Sequence, residues 1–85
     1  MFFIYGANNS RGTERAEKLL NICRKEYKLF IYNRDFTYAQ LQRLIPGTNV
    51  VPHIFDGANY VGGVKELYDY LYTIIKFEDE EKNDE

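Results

Sequence analysis

Hydrophobic residues change their spacing several times along the first part of the chain, and each spacing predicts an element. Residues 2–5, "FFIY", form a short apolar run before Gly6, which is typical of a buried strand. From Thr13 to about Tyr27 apolar residues recur at helical spacing, which predicts an amphipathic helix. The run "KLFIYN" at 28–33 again has the pattern of a strand. This part of the chain therefore predicts a strand, a helix and a second strand.

The second half of the chain predicts a short helix, a hairpin and a longer helix. Thr37 and Gln40 have the spacing of a capping box, and Pro46-Gly47 ends the helix that they begin. The segments "VVPHIF" and "NYVGG" are two strands, and "DGAN" is the turn between them. From Gly63 to about Lys76 apolar residues occupy one helical face, which predicts the last helix.

The predicted element order is β-α-β-α-β-β-α within 85 residues, which is the size of one small domain. A helix that connects the first two strands makes them parallel, and the hairpin adds antiparallel strands. The sequence therefore predicts an α/β fold with a four-stranded mixed sheet and helices on both faces.

Charge is distributed unevenly and suggests a boundary near residue 76. Residues 77–85, "FEDEEKNDE", carry six acidic residues and one lysine, whereas the rest carries seven acidic and ten basic residues. Such a segment has little apolar surface to bury, so we expect a domain at 1–76 and an acidic disordered tail at 77–85. The small, scattered positive charge of residues 1–76 does not predict nucleic-acid binding.

Few side chains offer reactive chemistry. Cys23 is the only cysteine, which excludes a disulfide within the chain and suggests a reducing, cytoplasmic setting. It lies on the apolar stripe of the first predicted helix, where we expect it to act as a small hydrophobic residue. His53 is expected to be a half-exposed strand side chain. One cysteine and one histidine cannot form a zinc site, and no apolar run approaches the length of a membrane span.

The stretch "NVVPHIFDGANYVGGVKELYDYL" contains a Val-Pro pair, a turn and a Gly-Gly pair before the last helix. Together with the strand-loop-helix start, it resembles the glutaredoxin family over roughly residues 2–75. The resemblance implies a thioredoxin-like fold in which Pro52 is cis and the backbone beside it pairs with extended substrates. Small glutaredoxins of this length occur in bacteria and their viruses, so it also implies a bacterial or phage origin.

The resemblance places Ser10 and Thr13 where glutaredoxins have the two residues of C-P-Y-C or C-x-x-S at the start of the first helix. The corresponding loop is Ser10, Arg11, Gly12 and Thr13, and both cysteines are replaced. Thiol–disulfide exchange requires a thiolate, which serine and threonine cannot supply. We therefore expect both hydroxyls to cap the helix and predict no catalytic residue.

The resemblance also implies a glutathione site, some of whose features persist. Arg11 in the loop could hold an anionic group at the helix start. Ala7 and Lys65 depart from the family pattern, whereas Glu66 keeps the acidic residue. The positions implied to bind glutathione or a partner are Arg11, Val51, Pro52, Gly62, Gly63, Val64 and Glu66.

Two functions follow from these residues. The first is a redox-inactive glutaredoxin-like domain that binds a protein partner through Arg11, Tyr60 and the Val51-Pro52 edge, without metal or cofactor. Its further support is a surplus of tyrosines, which are common at protein interfaces. The alternative is a glutathione-binding enzyme of glutaredoxin or transferase type, in which Ser10 holds the thiolate of glutathione.

Overall fold

The chain forms four strands and three helices in the predicted order. The computed structural model describes the backbone of residues 1–83 and the side chains of residues 1–76. The elements are β1 (Phe2–Gly6), α1 (Arg11–Ile22), β2 (Tyr27–Ile31), α2 (Tyr38–Leu44), β3 (His53–Asp56), β4 (Asn59–Gly62) and α3 (Val64–Asn83).

The strands form one mixed sheet in the order β2-β1-β3-β4. β1 pairs with β2 in parallel, because α1 returns the chain to the edge at which β1 began. β1 pairs with β3 and β3 pairs with β4 in antiparallel fashion. The prediction of a four-stranded mixed α/β sheet is confirmed.

The main core lies between the sheet and two helices, α1 and α3. Because side chains alternate along a strand, Phe2 and Ile4 of β1 point to this face of the sheet. Ile4 is fully buried and pairs in register with Ile54 of β3. The buried residues of this core are Phe2, Ile4, Ala16, Leu20, Ile54, Leu67 and Leu71.

The opposite face of the sheet is covered less completely. Its residues in β1 are Phe3 and Tyr5, both half-buried. The seven-residue helix α2 lies beside this face, where Leu44 lines a groove together with Tyr5 and Phe30. Thr37 and Gln40 begin α2 with the predicted capping box, whose side chains each bond to the other residue's backbone. Helices therefore lie on both faces.

The boundaries of α1 differ from the sequence prediction. The helix begins at Arg11 and ends at Ile22, whereas the apolar spacing predicts Thr13 to about Tyr27. It begins earlier because Ser10 is its N-cap. It ends earlier because Arg24 adopts a left-handed backbone conformation with φ of 56°, which a helix cannot continue. Tyr27 starts β2 instead.

Helix α3 continues to Asn83, seven residues beyond the predicted end at Lys76. No glycine or proline interrupts it, and Glu and Lys are favourable helix residues even without a surface to pack against. The backbone of residues 77–83 is helical, and the domain boundary at residue 76 with its disordered tail stays a prediction. Residues 84 and 85 lie outside the described residues.

Candidate functional site

The loop between β1 and α1 holds its conformation through side-chain hydroxyls. Ser10 has an extended backbone, and its Oγ accepts a hydrogen bond from the backbone N–H of Thr13 at 3.1 Å. This bond satisfies one of the unpaired N–H groups of the first helical turn. The expectation that Ser10 caps the helix is confirmed.

The expectation that Thr13 caps the helix is wrong, because its hydroxyl bonds to the preceding loop instead. Its Oγ1 accepts a hydrogen bond from the backbone N–H of Ala7 at 3.1 Å, and the side chain is buried. A Cβ at Gly6 would lie 2.5 Å from Thr13 Oγ1, so the end of β1 needs a glycine there. The buried Thr13 side chain therefore connects the loop to α1 through its bond to Ala7, while Ser10 caps the start of the helix.

The start of α1 packs against Pro52 and the start of α3. The Val51–Pro52 peptide bond is cis, as the resemblance implies. A Cβ at Gly12 would lie 2.7 Å from Pro52 Cδ and 3.7 Å from Val64 Cγ2. Only a residue without a side chain allows this approach, so the structure brings Gly12, Pro52 and Val64 together.

The turn from β4 into α3 completes the same site. Gly62 has φ of 126°, a conformation that favours glycine, and Gly63 follows it directly before α3. The Glu66 carboxylate accepts a hydrogen bond from the backbone N–H of Gly63 at 2.8 Å. Glu66 therefore stabilises the start of its own helix, a role the sequence did not predict, and remains exposed.

His53 is buried rather than half-exposed, and the expectation from the sequence is wrong. The Tyr60 hydroxyl lies 2.9 Å from His53 Nδ1, and the Thr48 hydroxyl lies 2.9 Å from His53 Nε2. These two hydroxyls satisfy both ring nitrogens in place of water, so the polar side chain of His53 can be buried beside Pro52. Burial lowers the pKa of His53 below its ordinary value, against a smaller opposite effect of the Val50 backbone.

Tyr60 extends from His53 toward solvent. Its side chain is 47% exposed, and its ring contacts the rings of Phe55 and His53 at centroid distances of 5.1 and 5.9 Å. Partial burial, together with the negative charge of Glu66, raises the pKa of the Tyr60 hydroxyl. Tyr60 therefore presents a neutral aromatic side chain beside the start of α3.

The backbone before Pro52 forms an open edge beside an apolar groove. Among the described residues, no hydrogen bond uses the amide or carbonyl of Val51. The groove has a volume of about 200 Å³ and is lined by Ala7, Tyr32, Tyr38, Leu41, Asn49, Val50 and Val51. This arrangement can hold an extended chain through its backbone.

Two cations lie at the rim of the site: the predicted Arg11, and Lys65, which the sequence indicated only as a departure from the family pattern. Arg11, the first residue of α1, and Lys65 in the first turn of α3 are both exposed. Within the part of the chain whose side chains are described, neither residue forms an ion pair. Both cations are therefore available to an acidic group.

Cys23 is remote from this loop. It follows the last residue of α1, is half-buried and packs against the main core, as expected. Among the described side chains, no group of three or more His, Cys, Asp or Glu residues could hold a metal ion. Within residues 1–83, no helix combines the length and apolar character that a membrane span requires.

Comparison with solved structures identifies the architecture. The crystal structure of glutaredoxin 1 from Francisella tularensis in complex with cacodylate is similar to this chain, with a TM-score of 0.69. The similarity covers 88% of this chain and 95% of the other, at 22% sequence identity. The fold is that of a glutaredoxin. No family model matches the sequence, and no curated protein matches it.

Sequence reasoning missed two features of this site. It did not predict that Thr48 and Tyr60 enclose His53, because the hairpin brings Tyr60 to the ring and the separate loop before β3 brings Thr48. It also did not predict that Glu66 bonds to Gly63, although an acidic residue three positions after a helix start is a recognised capping signal.

Proposed function

We propose that this chain is a redox-inactive glutaredoxin-like domain that binds a protein partner. The partner face consists of Arg11, Tyr60 and the Val51-Pro52 edge. The observation that carries the proposal is the use of both hydroxyls at the start of α1 as acceptors for backbone N–H groups of the loop. These are the positions at which the resemblance implies thiols.

The chemistry of these positions supports the absence of redox activity. A helix start can lower the pKa of a cysteine enough to populate the thiolate, whereas Ser10 and Thr13 stay protonated in the same field. Neither residue can form a disulfide. Cys23 lies beyond the opposite end of α1 and packs against the core, so it cannot replace them.

The surface around the site supports protein binding. The amide and carbonyl of Val51 are available to pair with an extended chain, and Val50 beside it is 61% exposed. Tyr60 and Arg11 belong to residue types that are enriched at protein interfaces. An open backbone edge flanked by an exposed tyrosine and an exposed arginine is suited to a peptide-like segment of another protein.

The alternative proposal, a glutathione-binding enzyme, is supported by one feature of Ser10. Its bond to Thr13 uses the Oγ lone pair, so the hydroxyl proton can still be donated to a thiolate. Two features oppose this alternative. Ala7 supplies no positive charge near the loop, and the Glu66 carboxylate is already bonded to Gly63. We therefore favour the protein-binding function.

A glutathione titration read by amide chemical shifts tests the choice between the two functions. We expect no saturating shift changes at Ser10–Thr13 or at Val51–Val64, and no turnover of a mixed glutathione disulfide. Saturating changes confined to these segments, with loss of affinity in Ser10→Ala, would instead support the glutathione-binding alternative.

Site-specific photocrosslinking tests the partner face directly. A photoreactive residue at position 11 should crosslink a defined protein from the source cells, whereas the same residue at exposed position 18 of α1 should not. Crosslinking that is equal at both positions would contradict a partner face centred on Arg11.

A further inference from the structure

The face of the sheet opposite the main core carries a continuous set of aromatic rings. The register places Phe3 of β1 beside Phe55 of β3, and Tyr5 of β1 beside Phe30 of β2. Paired residues on neighbouring strands point to the same side of a sheet. We call the four residues Phe3, Tyr5, Phe30 and Phe55 the aromatic face.

The rings of the aromatic face contact one another across three strands. Tyr5 contacts Phe30 at a centroid distance of 5.1 Å and Phe55 at 5.8 Å, and Phe3 lies parallel to Phe30 at 6.2 Å. All four rings are half-buried. An open groove of about 390 Å³ runs over them and is lined by Phe3, Tyr5, Phe30, Leu44, Phe55, Gly57 and Ala58.

The charges around the aromatic face are mainly positive. Lys28 is exposed and pairs in register with Phe3, which places it on the same side of the sheet. Arg43 of α2 lines the adjoining groove with Tyr5 and Phe30. The acidic residue of that groove is Asp35, whose carboxylate accepts hydrogen bonds from Arg34 and from the Ile31 amide. Among the side chains that the structure describes, neither Lys28 nor Arg43 forms an ion pair.

We propose that the aromatic face binds single-stranded nucleic acid. Unpaired bases stack on aromatic side chains regardless of sequence, while cations beside the rings contact the phosphates. The aromatic face supplies both parts, with rings on three strands and Lys28 and Arg43 at its border. The sequence did not predict this surface, because its cations are 15 positions apart in a chain of low net charge. The aromatic face adjoins the partner face at one point, because the Phe55 ring contacts the ring of Tyr60 at 5.1 Å.

Fluorescence anisotropy with a labelled oligo-dT strand of about ten nucleotides tests the proposal on the full chain. Binding should weaken as salt rises, with a log–log slope near −1.4 for two phosphate contacts. A duplex of the same length should bind less tightly, because its bases are not free to stack. Equal or tighter duplex binding would overturn the proposal, since charge alone would then explain the affinity.

Two variants distinguish the contribution of a positive charge to binding from the contribution of an aromatic ring. Lys28→Gln should make the salt slope shallower by about 0.7, whereas the control Lys18→Gln, at an exposed position of α1, should leave it unchanged. Phe30→Leu keeps an apolar side chain but removes one ring, and we expect about tenfold weaker binding with the salt slope retained. Equal effects of the two lysine variants would contradict the proposed surface.

Chemical-shift mapping on the unaltered protein avoids any effect of substitution on folding. Oligo-dT should shift the amides of β1, β2 and the Phe55–Ala58 segment, and leave the exposed side of α1 unchanged. The absence of shifts at millimolar oligonucleotide, shifts confined to α1, or self-association through the aromatic face would each overturn the proposal.

Discussion

At the scale of single residues, two hydroxyl side chains hold the loop before α1 in place. Thr13 is buried and accepts the Ala7 amide, whereas Ser10 is half-buried and accepts the Thr13 amide. Both bonds are partly buried, so water replaces a lost acceptor poorly and each bond should contribute to stability.

Replacement of Thr13 by valine should therefore destabilise the fold measurably. Valine keeps the shape of threonine but removes the acceptor of the Ala7 amide, and we expect the free energy of unfolding to fall by about 1–3 kcal/mol. Urea unfolding measures this quantity. The control is Thr73→Val in α3, whose exposed hydroxyl bonds to the Asp69 carbonyl and should contribute less than about 0.5 kcal/mol. Equal losses in both variants would contradict the role of Thr13.

His53 provides a pH-dependent test of its buried environment, because the sequence contains one histidine. Burial lowers the pKa of His53, so we expect it to titrate below the ordinary value of about 6.5. The unfolded chain then binds this proton more readily than the native protein. The stability contributed by neutral His53 is complete above pH about 6.5 and decreases as the pH falls through the native pKa.

An NMR titration of the imidazole signals measures the native pKa without interference from other residues. The variant Tyr60→Phe removes the hydroxyl that partners His53 Nδ1. The difference between the His53 pKa in this variant and in the unaltered protein measures the effect of that hydroxyl. A native pKa at or above 6.5 would contradict the enclosed, neutral ring.

At the scale of elements, helices α1 and α3 end where they do for different physical reasons. The ends of α1 depend on the Ser10 cap and on the left-handed conformation of Arg24. Residues 77–83 contain no glycine or proline and are mainly charged, which favours continuation of the α3 backbone but offers little apolar surface to bury. The helical extension is therefore expected to add helix content without adding much stability.

Deletion of residues 79–85 tests this expectation for α3. The helical circular dichroism signal should decrease, since residues 79–83 are helical, while the free energy of unfolding should change by less than about 1 kcal/mol. Exposed charge pairs rarely contribute more than that. A larger loss would show that the acidic segment docks on the domain.

At the scale of the whole molecule, the fold follows from the sequence more fully than the site does. Apolar runs, helical spacing, a capping box and turn residues together predicted all seven elements and their order. The loop of Ser10 to Thr13 and the Pro52 junction were predicted from the resemblance and meet in space.

The remaining features depend on contacts that no local pattern contains. The burial of His53 requires Thr48 from one loop and Tyr60 from another strand. The aromatic face requires the strand register, which brings Phe3, Phe30 and Phe55 together from three parts of the chain. Such sets of residues become visible only after the sheet is assembled.

The central proposal is that Ser10 and Thr13 occupy the positions of the two active-site thiols of a glutaredoxin. The double variant Ser10→Cys with Thr13→Cys tests it most directly, because the two residues are one helical turn apart, within the reach of a disulfide. The thiol at position 10 should also titrate below about 8.5, since the start of α1 and Arg11 favour the thiolate.

Mass spectrometry of the oxidised double variant, with circular dichroism to verify the fold, is the deciding measurement. We predict an intramolecular disulfide between positions 10 and 13 in a folded protein, with Cys23 remaining a free thiol. Free thiols at both introduced positions, or a bond from either one to Cys23, would contradict the assignment of this loop to a glutaredoxin active site.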